Sequence, residues 1–260
     1  MNVKANDKKA ILELLTNCNL NCPHCFYRTT KELIQHNPIS KKNAFAVIDN
    51  LHKEKFNKLV LTGGEPTIHK NILEISLYAM SKIEKVSICT NGVIEDTQLM
   101  EKLININYSC YTLSVDSHLA TIHDSFRGKK GAFEQTINFM KNLRKNNRKI
   151  SIHITLIPQN IDSINETIAY CSNFSEEIIV SSVYKTNDSF IAHEEYHNKV
   201  AMFFKNNLYN KKIILVGFEP FCTSANCLDG QNIYMITKDG NNVKCYWREN
   251  RGQFVKSFIQ

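Results

Sequence analysis

Apolar and polar positions along the chain follow two alternating rhythms. Short strand-like runs occupy residues 11–16, 58–62, 85–90, 111–115, 149–156 and 177–183, and between them apolar residues return at helical spacing. Behind Ser40, a plausible N-cap, Ala44, Phe45, Val47, Ile48 and Leu51 outline the first core-facing helix. Similar faces follow: Leu99, Met100, Leu103 and Ile104 after Asp96; Phe133, Ile137, Met140 and Leu143; and Ile164, Ile168 and Cys171. Strands alternating with helices at this interval predict an α/β fold, a parallel sheet wrapped by helices. Six such units make a partial (β/α)6 barrel, with the C-terminal strand ends collecting the reactive groups.

After a helical stretch at 194–207 the rhythm changes. One strand is expected at 212–217, then two at 233–237 and 243–246 around Asp239-Gly240, a dipeptide that signals a hairpin between alternating runs. The expected division is a barrel domain over 1–209 and a small hairpin extension over 210–260. No repeat, low-complexity run or Pro- or Ser-rich linker sharpens that boundary.

Composition narrows the class. A hydrophobic content of 43% supports a sizeable core. The N-terminal residues lack the apolar stretch of a signal peptide, so the nine cysteines point to a reducing, cytoplasmic setting rather than a disulfide scaffold. No run approaches the roughly 18 apolar residues needed to span a bilayer. The net charge of +7 is spread over scattered lysines, and no basic run interleaved with aromatics marks a nucleic-acid groove. Cys89, Cys110 and Cys171 fall within or beside predicted elements and read as small core hydrophobes.

Cys18, Cys22 and Cys25 form a Cys-x3-Cys-x2-Cys loop just after the first strand. Three thiolates on one tight loop can hold three irons of a [4Fe–4S] cluster and leave the fourth open to a small chelating molecule. A zinc knuckle, which needs a fourth ligand, or a chance grouping are the plainer alternatives. One βα unit later, Leu61-Thr-Gly-Gly-Glu-Pro-Thr67 closes the second strand. Its paired glycines permit close backbone approach, and Glu65 brings a carboxylate able to hold an ammonium group.

Together these motifs resemble the radical S-adenosylmethionine (SAM) superfamily, over about residues 9–185 by motif order and strand spacing. The resemblance implies a partial TIM barrel in which Cys18, Cys22 and Cys25 bind the cluster and its open iron chelates the SAM amine and carboxylate. It places Gly63, Gly64 and Glu65 at the amine and His24 and Phe26 in the adenine pocket. Asn91 of Thr90-Asn-Gly92, with Ser114 and Asp116 of Ser114-Val-Asp116, would lie near ribose or methionine. Arg127 resembles an arginine that pairs with the cofactor carboxylate in peptide-modifying relatives; a loop arginine capping the next helix is the alternative. Thr155 and Asn160 are too generic to assign.

The tail carries Cys227-x12-Gly240-x4-Cys245 with Cys222 just upstream, resembling the start of a SPASM or shorter twitch extension that holds an auxiliary iron–sulfur cluster. No cysteine follows Cys245, so a twitch-like extension with Cys222, Cys227 and Cys245 as ligands is expected, Asp229 or substrate completing the set. Cys222 could instead be a catalytic thiol that returns a hydrogen atom to a substrate radical. A zinc hairpin or chance cysteines is the plainer reading of the tail.

The resemblance implies reductive cleavage of SAM to a 5′-deoxyadenosyl radical, driven by a one-electron donor such as flavodoxin or ferredoxin, and hydrogen abstraction from a substrate. The expected substrate is a ribosomally made peptide receiving a crosslink, thioether or epimerised centre, the work of an oxidoreductase-like enzyme or an epimerase. The alternative substrate is a small polar metabolite such as an aminocyclitol. A nucleotide cyclase comes third, its arginine-rich tail not being recognisable here. In another class altogether stand a noncatalytic iron–sulfur carrier or sensor and a zinc-binding interaction module, neither of which needs Gly63-Gly64-Glu65.

Overall fold

The computed structural model describes residues 8–25, 38–175, 177–182, 194–216, 233–243 and 254–257. Strands β1 (Lys9–Glu13), β2 (Lys58–Thr62), β3 (Lys85–Thr90), β4 (Cys110–Ser114), β5 (Ile150–Leu156), β6 (Glu177–Ser182) and β7 (Ile213–Val216) run parallel, each beside the next. The connections carry α1 (Lys41–Lys53), α2 (Ile72–Lys82), α3 (Thr97–Asn105), α4 (Ala120–Arg127), α5 (Ala132–Lys145), α6 (Ile164–Ser172) and α7 (Glu194–Asn207). This curled parallel sheet with its helices is the expected partial barrel. On the far side of β1, β8 (Ile233–Ile236) pairs parallel with β1. It continues antiparallel to β9 (Asn241–Val243), which pairs antiparallel with β10 (Phe254–Ser257).

Alternation along each strand explains the layering. Leu12, Leu61, Ile88, Leu113, Ile152 and Val180 are all but fully buried in one apolar cluster with Val47, Ile48, Leu51, Ile75, Met140 and Leu143 of the helices. Each such side chain contributes about 1.5–3 kcal/mol. The alternate positions, Thr62, Cys89, Thr112, Ser114, His153 and Ser181, carry smaller or polar groups to the opposite, concave face. Cys171 is fully buried on α6, as a core residue should be.

Helix ends follow local chemistry. Ser40 Oγ accepts the Asn43 N–H at 3.1 Å, and Asp96 accepts those of Gln98 and Leu99, capping α1 and α3. Several elements differ from expectation, most by a single residue. β1 starts two residues earlier and leaves the ladder after Glu13, because Leu14 and Leu15 turn to bond Thr62 and Gly64. The return strand β9 begins directly after Gly240, whose left-handed φ of 77° closes the turn and places it ahead of 243–246. Residues 72–82 and 120–127 form helices that the apolar pattern had not singled out, the second ended by Gly128 in the left-handed conformation.

Candidate active site

The cysteine loop leaves β1 and is held from two sides. Leu15 and Asn17 carbonyls accept the N–H groups of Gly64 and Glu65 at 2.8 and 2.9 Å, and the Asn21 N–H donates to the Arg127 carbonyl at 3.1 Å. These contacts are feasible only because side chains are missing. A Cβ on Gly64 would stand 2.1 Å from the Asn17 carbonyl oxygen, and one on Gly63 2.3 Å from that of Leu15. A Cβ on Gly128 would stand 2.5 Å from the Asn21 carbonyl oxygen. The paired glycines thus first admit the stem of the cysteine loop, and Gly128 admits its far side.

Glu65 is the brace beneath. Its carboxylate is buried, and Oε1 accepts from Thr67 N (3.0 Å), Thr67 Oγ1 (2.7 Å) and Thr90 Oγ1 (2.7 Å), while Oε2 accepts from Asn91 N (2.7 Å). Burial pushes its carboxyl upward and the four donors pull it back. Asn91 relays the brace to the loop: its Nδ2 donates to Asn19 Oδ1 at 2.8 Å and approaches Cys18 Sγ at 3.7 Å, and Asn19 in turn donates to the Val93 carbonyl. Desolvation, opposed by the Leu20 N–H and seconded by Glu65 and the other two thiols, pushes the Cys18 thiol up to about 12. Cys22 is buried, its thiol donating to the Arg127 carbonyl at 3.6 Å.

On the α4 side, Asp116 is fully buried beyond the end of β4. Its Oδ2 takes the Arg127 Nε–H at 2.6 Å, its Oδ1 takes the Thr155 N–H, and its backbone N–H donates to His123 Nδ1 at 3.2 Å. Asn160 closes the network on the carbonyls of Asp116 and Thr155. Arg127 therefore sits in a helix end, ion-paired internally. Although burial opposes it, pairing with Asp116 lifts the guanidinium pKa above its usual value. Next to it the His24 ring stacks on Phe126, centroids 3.7 Å apart and 5° from parallel. Burial and the Arg127 charge lower His24 to about 3, and its Nδ1 is buried with no hydrogen-bond partner among the described residues. Ser114 lies at the end of β4 on the concave face.

Among the sequence-derived candidates, Cys18, Cys22, Cys25, His24, Gly63, Gly64, Glu65, Asn91, Ser114, Asp116 and Arg127 all fall at the C-terminal ends of β1–β4 or on α4. Phe26, Cys222, Cys227, Asp229 and Cys245 lie outside the described residues. Asn19, Phe126, Gly128 and His153 were missed. His153 had a usable signal, as the polar member between Ile152 and Ile154, and Phe126 and Gly128 flank Arg127, which the sequence had singled out.

A family description for the Radical SAM superfamily matches residues 12–171, more than half the chain. The chain belongs to the Radical SAM superfamily. Among its relatives, the Fe-coproporphyrin III synthase of Methanosarcina barkeri is 32% identical over 162 residues, 62% of this chain and 40% of that protein. The antilisterial bacteriocin subtilosin biosynthesis protein AlbA of Bacillus subtilis is 32% identical over 160 residues, 60% of this chain and 35% of AlbA. The chain thus spans about two fifths of the curated relatives it matches. In fold, Streptococcus suis SuiB bound to its precursor peptide SuiA superposes with a TM-score of 0.74 at 16% identity, over 100% of this chain and 64% of SuiB. Among the described residues no helix is long and apolar enough to cross a membrane.

Radical SAM membership implies a [4Fe–4S] cluster and SAM, and the residues present fit both. The loop offers three thiols that are in no disulfide. Among the described residues no three His, Cys, Asp or Glu side chains converge tightly enough to chelate one ion, and a cubane instead gives each thiolate its own corner. The orphaned His24 Nδ1 marks a polar position beside the loop that a ligand could complete.

Proposed function

We propose that Cys18, Cys22 and Cys25 hold the cluster whose open iron takes SAM. The observation that carries this reading is the pair of close glycine contacts: Gly64 meets the cysteine loop at Asn17, just before Cys18, and Gly128 meets it at Asn21, just before Cys22. When bound, the cluster and SAM supply a 5′-deoxyadenosyl radical that removes a hydrogen atom from substrate. The chain's own residues bind and orient. The backbone of Gly63 and Gly64, with Glu65 and Asn91, would meet the amine side, and Ser114 the ribose or methionine part. The neutral His24 ring, backed by Phe126 and Ile157, and Phe26 would wall the adenine subsite. Arg127 and Asp116 fix α4 over Cys22.

The substrate reading is maturation of a ribosomally made peptide by crosslink, thioether formation or epimerisation. AlbA's role in bacteriocin biosynthesis supports it. In the same reading residues 210–260 form a twitch-like extension with an auxiliary cluster on Cys222, Cys227 and Cys245. A flavodoxin- or ferredoxin-type protein supplies the electron.

The test is anaerobic iron–sulfur reconstitution, then dithionite and SAM. 5′-Deoxyadenosine should form, and Cys18→Ala, Cys22→Ala or Cys25→Ala should each abolish it; an unchanged yield in these variants rejects the reading. Incubation with short peptides encoded beside this chain should give a loss of two hydrogens, or solvent deuterium at one centre. Turnover of aminocyclitols but of no peptide would move the substrate to the metabolite class.

A further inference from the structure

Asp116 and Arg127 form a short, buried ion pair beside the cysteine loop. Arg127 Nε donates to Asp116 Oδ2 at 2.6 Å, and the side chains are 11% and 0% exposed. Asp116 is immobilised on its other side by the Thr155 N–H at 2.9 Å. The same arginine meets the cysteine loop through its backbone: its carbonyl accepts from Asn21 N at 3.1 Å and from Cys22 Sγ at 3.6 Å. The residue that carries this buried positive charge is therefore in direct contact with the Cys22 sulphur. A Cys22 that ligates iron has no proton left to give the Arg127 carbonyl. The compensating positive charge on that side is the guanidinium.

We propose that Arg127, anchored by Asp116, is a positioning residue that sets the reduction potential of the cluster through Cys22. The proposal rests on the assignment of the cluster to Cys18, Cys22 and Cys25. One electron from a low-potential reductant converts the oxidised cluster to its one-electron-reduced form and adds one negative charge to it. A buried positive charge beside a ligating sulphur favours that form. Asp116, the buried carboxylate paired with the guanidinium, works against it.

The roles predict opposite signs. Arg127→Gln leaves the buried carboxylate and should make the cluster harder to reduce, by about tenfold in the reduction equilibrium, or about 59 mV for one electron. Asp116→Asn leaves the guanidinium uncompensated and should make reduction easier. Arg127→Lys keeps a charge and should lie close to wild type, and the Arg127→Gln/Asp116→Asn double variant between the single ones.

The measurement is anaerobic potentiometry of the reconstituted full chain followed by electron paramagnetic resonance, the relevant signal being the one that SAM perturbs. Iron content and SAM affinity are read in parallel. Opposite shifts with iron retained support the proposal. It is overturned by shifts of the same sign or by unchanged potentials. It is equally overturned if Arg127→Gln weakens SAM binding at constant potential, which would assign the arginine to the cofactor carboxylate. If Arg127→Gln fails to hold iron, Asp116→Asn decides alone: an unchanged or lowered potential there rejects the idea. A wild-type chain whose SAM-responsive signal survives loss of all three loop cysteines would instead reject the cluster assignment itself.

Discussion

Glu65 and Asn91 stand past the ends of neighbouring strands, and the backbone N–H of Asn91 donates to Glu65 Oε2 at 2.7 Å. Through that bond the carboxylate that follows β2 fixes the turn that leaves β3, and through the Asn91 side chain it reaches Asn19 of the cysteine loop. Glu65→Ala would leave the buried N–H groups of Thr67 and Asn91 and two threonine hydroxyls unpaired. The expected cost is about 3 kcal/mol or more. Glu65→Gln should also destabilise, since an amide cannot accept three hydrogen bonds at one end and another at the other. Urea unfolding of the chain without iron measures both, and wild-type stability in Glu65→Gln would contradict the brace.

Three glycines separate clamp from strain. Gly131 has a φ of 80° but none of the described residues comes within 4 Å of an added Cβ, so Gly131→Ala should cost about 1 kcal/mol and leave iron incorporation intact. Gly64→Ala carries no left-handed penalty yet drives a methyl into the Asn17 carbonyl. Gly128→Ala suffers both faults. Both should lower iron bound on reconstitution, while far-ultraviolet circular dichroism stays native. Equal iron in all three variants would show that the close approach does not position the loop.

The strand frame was readable because its outward residues are apolar without interruption: the ranges of β2 and β3 match the alternation. Helix α4 was not readable. Its buried residues are His123, Phe126 and Arg127, a face that looks polar until Asp116 neutralises the arginine. The same limit hid the clamp. Gly-Gly-Glu is visible as a motif, but nothing local in Gly128 shows that it meets Asn21, a contact made across the sheet end.

Acid should loosen the α4 side. His123 is 1% exposed, its Nδ1 accepts the Asp116 N–H, and burial together with Arg127 outweighs Asp116 and Asp124 to lower it to about 4. The unfolded chain takes that proton near pH 6.5, so between about 6.5 and 4 it binds more protons than the folded one. The contribution is present above 6.5 and is lost as pH falls, by about 1–2 kcal/mol at pH 5 for this residue. His123→Asn keeps an acceptor without titrating. The pH 7 to pH 5 loss of stability in urea should therefore be smaller in the variant; equal losses would assign the acid sensitivity elsewhere.

His153 and Ser181 form a polar pair on the concave face, His153 Nε2 lying 2.9 Å from Ser181 Oγ between β5 and β6. Burial lowers the imidazole to about 4, with Asp116 and Arg127 acting in opposite directions, so the ring is neutral at pH 7 and one nitrogen serves the serine. The pair lies two strands from the Glu65–Asn91 brace. Ser181→Ala should cost about 1 kcal/mol, and a double-mutant cycle with His153→Ala should show coupling of similar size. Uncoupled SAM cleavage without substrate should persist in Ser181→Ala, because the cysteine loop and its glycine contacts are untouched, whereas turnover of an accepted peptide should fall relative to it. If both activities fall together, the pair supports the cofactor end of the barrel and not the substrate face.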